Sequence, residues 1–222
     1  METDIAVDYC GYTFLTDREM GQRMINGRYE NEELSLVNKI PTIEDMSVLE
    51  LGGCLGVVSV AVNKKLNAPE KHVVVEANPN VIRYLKSNRE INHCQFKIEN
   101  IIVSSRSDGT FYSFDKLVAG SSHRMNDENE QNKTKHTIKT MSLQELADKY
   151  DTEFDLIVLD IEGGELEFLE DMGDMSAKYI LAELHEWIMY PGFNAECSKI
   201  LETMGMSLVA KNGISFLYGR RQ

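Results

Sequence analysis

The run Val48-Leu49-Glu50-Leu51-Gly52-Gly53-Cys54-Leu55-Gly56 constrains this chain more than any other stretch. Ser47 to Leu51 reads as a buried strand that runs straight into a glycine-rich turn, and Val57 to Leu66 then reads as a helix. Strand, glycine turn and helix in that order open a nucleotide-type βαβ unit. Glycine is needed where the backbone must turn tightly and approach a ligand with no Cβ in the way. The next strand is Val73-Val74-Val75-Glu76. Its Glu76 falls twenty residues after Gly56, at a tip from which a carboxylate can accept hydrogen bonds from ribose hydroxyls.

The dinucleotide fingerprint G-x-G-x-x-G fails here. Counted from Gly52, it needs glycine where Cys54 and Val57 stand. Glu50, just before the glycines, would repel a pyrophosphate but suits a ligand with an amino group. A nucleoside carrying a cationic tail, such as S-adenosylmethionine, is therefore favoured over NAD.

Further along, Val81, Leu85 and Ile91 share one helical face. Gln95 to Ile98 reads as a short strand. Ile101 to Ser104 and Thr110 to Phe114 read as two strands around the turn Arg106-Ser107-Asp108-Gly109. Thr137 to Thr140 reads as another strand. Ser142 with Glu145 predicts a capping box for the helix Leu143 to Tyr150. The near-continuous apolar run Phe154 to Leu159 marks a central parallel strand covered on both faces. A helix Leu166 to Met172, a strand Tyr179 to His185, a helix Asn194 to Met204 and a terminal hairpin complete the pattern. The hairpin comprises Ser207 to Lys211 and Ile214 to Tyr218, joined through Asn212-Gly213. This alternation predicts an α/β fold with a doubly wound, mostly parallel sheet and an antiparallel edge.

Residues 1–45 lack strong strand patterning. They are expected to form an N-terminal helical cap, with Asp17 capping a helix from Arg18 and Asn31 capping one from Glu32. Residues 46–222 form the main domain. The polar stretch Ala119 to His136 reads as a surface loop or a substrate lid.

The formal net charge of -13 argues against broad binding to nucleic acid or to an anionic membrane surface. The basic clusters Lys64-Lys65, Lys133/Lys135/Lys139 and Arg220-Arg221 read as solvated surface. Four scattered cysteines offer no C-x-x-C pair for zinc. With Glu2, Asp4 and Asp8 in the first nine residues, no secretory leader is read, and a cytoplasmic setting is expected.

The acids are the second informative pattern. Glu50, Glu76, Asp160, Glu162 and Glu183, together with His185, fall at or just past strand carboxyl ends. In an open α/β sheet that is where ligands bind. Crowded carboxylates raise one another's pKa, and His185 titrates near neutrality, so Asp160, Glu162 and His185 are the candidate bases. Asp160, Glu162 and Glu183 also have oxygens of the kind that chelate a hard divalent cation. A metal is left open rather than expected.

At these residues the sequence resembles the FkbM family of methyltransferases that use S-adenosylmethionine. The resemblance runs from about Arg23 to Gly219. It rests on the Val48-to-Gly56 run, on Val75-Glu76-Ala77-Asn78-Pro79 and, most specifically, on Asp160-Ile161-Glu162-Gly163-Gly164-Glu165. Gly27-Arg28-Tyr29-Glu30 looks like the family's lead-in to its first strand. The resemblance implies a seven-stranded Rossmann-like sheet ending in a reversed hairpin. It also implies methyl transfer, usually to a hydroxyl of a sugar, glycan or secondary metabolite. By matching position, Glu50, Gly52, Gly53 and Gly56 would surround the methionine part of the cofactor. Glu76 with Ala77 would bind the ribose, Asn100 and Ile101 would lie along the adenine, and Asp160 and Glu162 would face the methyl group and acceptor. Two departures stand out: Glu50 where aspartate is frequent, and Val158 where a lysine is common. The expected partner is a small-molecule or glycan acceptor, and nothing in the sequence sets the oligomeric state. Two alternatives remain: an NAD-linked oxidoreductase or epimerase, and a protein that binds S-adenosylmethionine without chemistry.

Overall fold

The computed structural model describes residues 4–27, 29–105, 109–114, 133–173 and 176–221. The chain opens with β1 (Ile5–Tyr9), β2 (Tyr12–Thr16), α1 (Arg18–Ile25) and α2 (Asn31–Val37). It continues through β3 (Val48–Leu51), α3 (Val57–Asn63), β4 (His72–Val75), α4 (Ile82–Ile91) and β5 (Lys97–Glu99). Four short strands follow: β6 (Ile102–Val103), β7 (Thr110–Phe114), β8 (Lys133–Thr137) and β9 (Thr140–Met141). Then come α5 (Leu143–Tyr150), β10 (Leu156–Leu159), α6 (Glu165–Met172), β11 (Tyr179–Glu183), α7 (Phe193–Thr203), β12 (Met206–Asn212) and β13 (Ser215–Arg220).

The main sheet has seven strands in the order β12-β13-β11-β10-β3-β4-β5. β11, β10, β3, β4 and β5 run parallel, and β13 and β12 are antiparallel. The expected doubly wound sheet with a reversed terminal hairpin is thus present. Every residue of β3, β4 and β10 is buried, as parallel strands covered on both faces require. Leu49, Leu51, Ile157 and Leu159 pack with Leu146 of α5, Phe168 and Leu169 of α6 and Cys197 of α7. Val48, Leu156 and Val158 point the other way, onto Leu36 and Val37 of α2 and Val58 and Val62 of α3.

The chain leaves β3 towards β4 and β5 on one side and later returns through β10 to β11 on the other. The carboxyl ends of β3 and β10 therefore flank the switch point of the sheet, where the loops part and leave a crevice. Short backbone bonds brace it. Gly52 and Gly53 N–H both donate to Val75 O, at 2.9 and 3.1 Å, and Asp160 N–H donates to Leu51 O at 2.9 Å.

Three expectations need correction. The 1–45 segment, expected to be a helical cap, opens with the antiparallel hairpin β1–β2, turned by Cys10 and Gly11 at φ of 51° and 84°. Ile5, Val7 and Tyr9 do alternate with polar or small residues, but the turn lacks the usual Asn-Gly signal. The side chains of Asn88 on α4 and of Asn92, at the helix C-terminus, bind the backbone of Leu15 and Thr13, which holds this hairpin to the main body. Asp17 caps α1 as expected, accepting from Met20 N–H at 2.8 Å. Asn31 does not cap α2. It is the first helical residue, and its side chain accepts from the Tyr9 hydroxyl at 2.6 Å. Finally, β6 and β7 do not pair with each other: β6 runs parallel to β9 and β7 antiparallel to β8. Most of the loop read over Ala119 to His136, and residues 106–108 of the expected turn, lie outside the described residues. Residues 133–136 belong to β8. Among the described residues, no helix is long and apolar enough to cross a membrane.

Gly52 carries the tightest constraint of the turn. Its φ is +94°, and a Cβ there would sit 1.6 Å from the carbonyl oxygen of Asp160. Gly52→Ala must push β3 and β10 apart. It is expected to lower stability by roughly 3 kcal/mol or more in a denaturant titration, whereas a wild-type-like midpoint would contradict this packing.

Candidate functional site

The crevice is a cleft of about 480 Å³, within the roughly 300–1,000 Å³ range of small-molecule sites. Gly52, Cys54, Glu76 and Ala77 line one side, and Asp160, Glu162 and Glu183 the other. Arg23, Tyr29 and Glu30 close it from the N-terminal segment. Six carboxylates line it, and Arg23 is the single basic side chain among the described lining residues.

Glu76 stands where the sequence placed it, just past the end of β4. Its Oε2 accepts from Cys54 N–H at 2.8 Å and its Oε1 from Asn78 N–H at 2.6 Å. Burial pushes its carboxyl up to about 6, against the pull of those two backbone bonds. Asn100 reaches back to donate to the carbonyls of Glu76 and Ala77 and does not line the cleft, while Ile101 does. Gly53 and Gly56 shape the turn from behind. A Cβ at Gly53 would strike Val74, and Gly56 begins α3 at φ +83°.

Glu50 is not brought to the cleft. It lies on the Val48 face of β3, buried, with its carboxylate 3.0 Å from His72 Nε2 and accepting from the Ser59 hydroxyl at 2.6 Å. The period-two alternation of the strand decides this: Leu51, the last residue of β3, lines the cleft, and Glu50 takes the opposite face.

The opposite rim is built around His185. The residue is 1% exposed and sits just beyond β11. Its Nδ1 lies 2.5 Å from Glu165 Oε1, which also accepts from Gly163 N–H at 3.0 Å. Its Nε2 lies 3.3 Å from Glu183, 3.5 Å from Glu162 and 3.6 Å from Asp160. Burial alone would depress the imidazole, but the bonds to Glu165 and Glu183 and the charge of Asp160 outweigh it and push it up to about 11. This corrects the expectation of a histidine base. At neutral pH His185 keeps its proton and acts as a fixed cation among four acids.

The acids respond unequally. Burial, then the charges of Glu183 and Glu30, hold Asp160 well above the usual carboxylate range. Burial raises Glu162 as well, with His185 opposing. Glu183 moves the other way: burial is outweighed by hydrogen bonds to His185 and Glu33, which lower it. Burial and the nearby Glu183 charge raise Glu33 to about 7, and burial holds Glu30 well above its ordinary value. Of the three candidate bases, Asp160 and Glu162 both combine a raised carboxyl with a place in the cleft wall, and Glu162 stands on a turn whose backbone is in the left-handed region at φ +50°.

Sequence reasoning missed Arg23, Tyr29, Glu30 and Cys54, which line the cleft, and Glu165 as the partner of His185. Glu165 had a readable signal as the last acid of the Asp160-to-Glu165 block. Cys54 lies inside the glycine-rich run, and Tyr29 and Glu30 inside the Gly27-to-Glu30 stretch, but neither stretch marked them as cleft residues, and Arg23 on α1 had no pattern to mark it. Trp187 follows His185 by two residues. It lines the cleft with 72% of its surface exposed, its ring centroid 6.3 Å from that of His185.

A family model described as the methyltransferase FkbM domain matches residues 50–208. A search of curated proteins finds no match. Among solved structures, magnesium protoporphyrin IX methyltransferase (ChlM) from Synechocystis PCC 6803 with bound SAM superposes with a TM-score of 0.54. It shares 9% identity, over 85% of this chain and 76% of that one. Ribosomal protein L11 methylase from Lactobacillus delbrueckii subsp. bulgaricus gives 0.51 at 10% identity, over 85% and 77%. Precorrin-6y C5,15-methyltransferase from Geobacter metallireducens GS-15 gives 0.51 at 10%, over 85% and 88%. At such identities the likeness is one of fold.

The placement of Glu50 leads to a test. Glu50→Ala leaves the buried His72 and the Ser59 hydroxyl without their acceptor and is expected to cost roughly 2–4 kcal/mol of stability. Ligand affinity at the cleft, measured by calorimetry, should stay unchanged. A large loss of affinity in a variant that is still folded would put Glu50 back in the site.

Proposed function

The chain belongs to the FkbM methyltransferase domain family, and on that premise we propose that it transfers a methyl group from S-adenosylmethionine to a hydroxyl of a sugar, glycan or related small metabolite. The observation that carries the reading is the convergence of a glycine turn, a ribose-type acid and an acidic rim on one cleft at the sheet's switch point.

The residues present fit the cofactor. Glu76 offers a carboxylate at the strand tip, already oriented by two backbone N–H groups. Ile101, Ile102 and Val103 give the cleft an apolar wall suited to a base. Glu30, Asp160 and Glu183 supply acids towards a ligand bearing an ammonium and a sulfonium. S-adenosylmethionine, when bound, supplies an electrophilic methyl group. The protein's tasks are to align an oxygen nucleophile with it and to take up a proton. Glu162 is assigned as the proton acceptor. His185 holds its proton and balances the charge of Asp160, Glu183 and Glu165. A positioned base is worth roughly 10²–10⁴-fold in rate.

Two features support a small hydroxyl-bearing acceptor. Trp187 offers an exposed ring face at the mouth, against which a sugar ring can stack. An acidic cleft on an acidic chain disfavours a phosphate-rich acceptor.

Methyl transfer from labelled S-adenosylmethionine to a panel of sugars and hydroxylated metabolites tests the reading. Glu162→Gln should lower turnover about a hundredfold or more with little change in cofactor affinity; undiminished turnover would remove Glu162 as the base. Glu76 gives a separate pH signature. Its carboxyl rises to about 6, so the charged acceptor is complete above that pH and is lost as pH falls through it. Cofactor affinity by calorimetry should weaken below about pH 6, and Glu76→Gln should flatten the dependence. A wild-type affinity that is level from pH 5 to 7 would exclude Glu76 as the ribose acid.

A further inference from the structure

We propose that Asp160, Glu183 and His185 bind one divalent transition-metal ion of the Mn²⁺ type. A ligand atom from each of Asp160, Glu183 and His185 lies within 4.8 Å of the others. The distances from His185 Nε2, 3.3 Å to Glu183 and 3.6 Å to Asp160, are close to what a metal shell needs. Ligands about 2.1 Å from an ion stand roughly 3 Å apart at right angles, so small side-chain adjustments would close the shell.

Two further observations separate this group from a solvated patch of acids. Asp160 Oδ1, one of the atoms converging on His185 Nε2, is buried and has no hydrogen-bond partner. Such an atom in a native interior calls for a partner. Glu165, fully buried, engages His185 Nδ1 and so fixes the ring with Nε2 turned to the three carboxylates. A carboxylate behind a ligating histidine is the usual outer shell of a metal site.

The donor set selects the ion. Two carboxylates with one imidazole suit Mn²⁺, Fe²⁺ or Zn²⁺ better than Mg²⁺ or Ca²⁺, which favour an all-oxygen shell. On binding, the ion takes the place of the Nε2 proton, which leaves to solvent, and Nε2 lends its lone pair. The role of the ion rests on the methyl-transfer reading: bound at the mouth beneath Trp187, it would orient an acceptor hydroxyl and make its proton easier to remove. The binding site itself does not rest on that reading.

The test is a titration of the chelator-treated full chain with MnCl₂, with free Mn²⁺ followed by electron paramagnetic resonance. One ion per chain is expected. Asp160→Asn and Glu183→Gln should each weaken binding tenfold or more, and Glu165→Gln roughly 10–100-fold through the misplaced ring. Asp148→Asn, an exposed change on α5, should bind as wild type. Circular dichroism confirms which variants are folded, and the two ligand variants are independent of each other. No uptake by wild type, or uptake unchanged in folded Asp160→Asn and Glu183→Gln, overturns the site. A parallel S-adenosylmethionine titration of the metal-free chain keeps the two readings apart. Cofactor binding without Mn²⁺ uptake sinks only the metal, and Mn²⁺ uptake without cofactor binding sinks only the methyl-transfer reading.

Discussion

The functional end of this molecule depends on one buried positive charge. Four carboxylates, from Asp160, Glu162, Glu165 and Glu183, meet within 3.6 Å of the ring nitrogens of His185. Without a compensating cation that density of acid could not stay ionised in a partly dry cleft. The fold makes the meeting unavoidable. β10 and β11 are parallel neighbours in register, Leu159 opposite Ala182, so the residues that follow each strand emerge side by side. Val158 faces α2 and α3 within the apolar core, so position 158 is turned away from the acids.

The backbone around the cleft is held in costly shapes. Glu30, Cys54 and Glu162 all line it and all adopt positive φ without being glycine. Each such residue costs on the order of 1 kcal/mol. Each returns something that a relaxed turn would not. Cys54 presents its N–H to Glu76, Glu162 lifts its carboxylate into the wall, and Glu30 starts α2 while facing Glu183 and Glu33. Gly163, at φ +98° beside Glu162, lets the turn pass Met189, whose sulfur would lie 2.7 Å from a Cβ there.

Parts of this were legible in the sequence for identifiable reasons. Parallel strands buried on both faces leave continuous apolar runs, so β3, β4 and β10 could be read with their order and their tips. The capping box at Ser142 and Glu145 is a local device and was equally plain. The cleft wall was legible where a residue sits immediately past a strand, as with Glu76 and Asp160. It was illegible where position depends on which face of a strand a residue takes. Glu50 is one residue short of the strand end and points into the layer behind the sheet. It was also illegible where the residue comes from outside the sheet, as with Tyr29 and Glu30. The state of His185 was out of reach for a different reason. A lone histidine titrates near neutrality, and only the convergence of Glu165, Glu183 and Asp160 around it shows that it keeps its proton.

The surplus of acid raises a question about rate. A carboxylate beside a sulfonium favours binding of the donor, yet methyl transfer disperses that positive charge, so the attraction weakens on the way to the transition state. Interactions stronger in the ground state slow chemistry. An uncompensated rim would therefore hold the donor well and transfer its methyl group poorly. A cation fixed at His185, whether the imidazolium or an ion at the same point, draws Asp160 and Glu183 partly away from the ligand. On the proposed reading it leaves Glu162, which is raised by burial and set on the cleft wall, to take up the acceptor's proton. Burying a histidine among four acids would then serve that chemistry as well as the fold: it restrains the ground-state attraction while keeping one carboxylate available as a base.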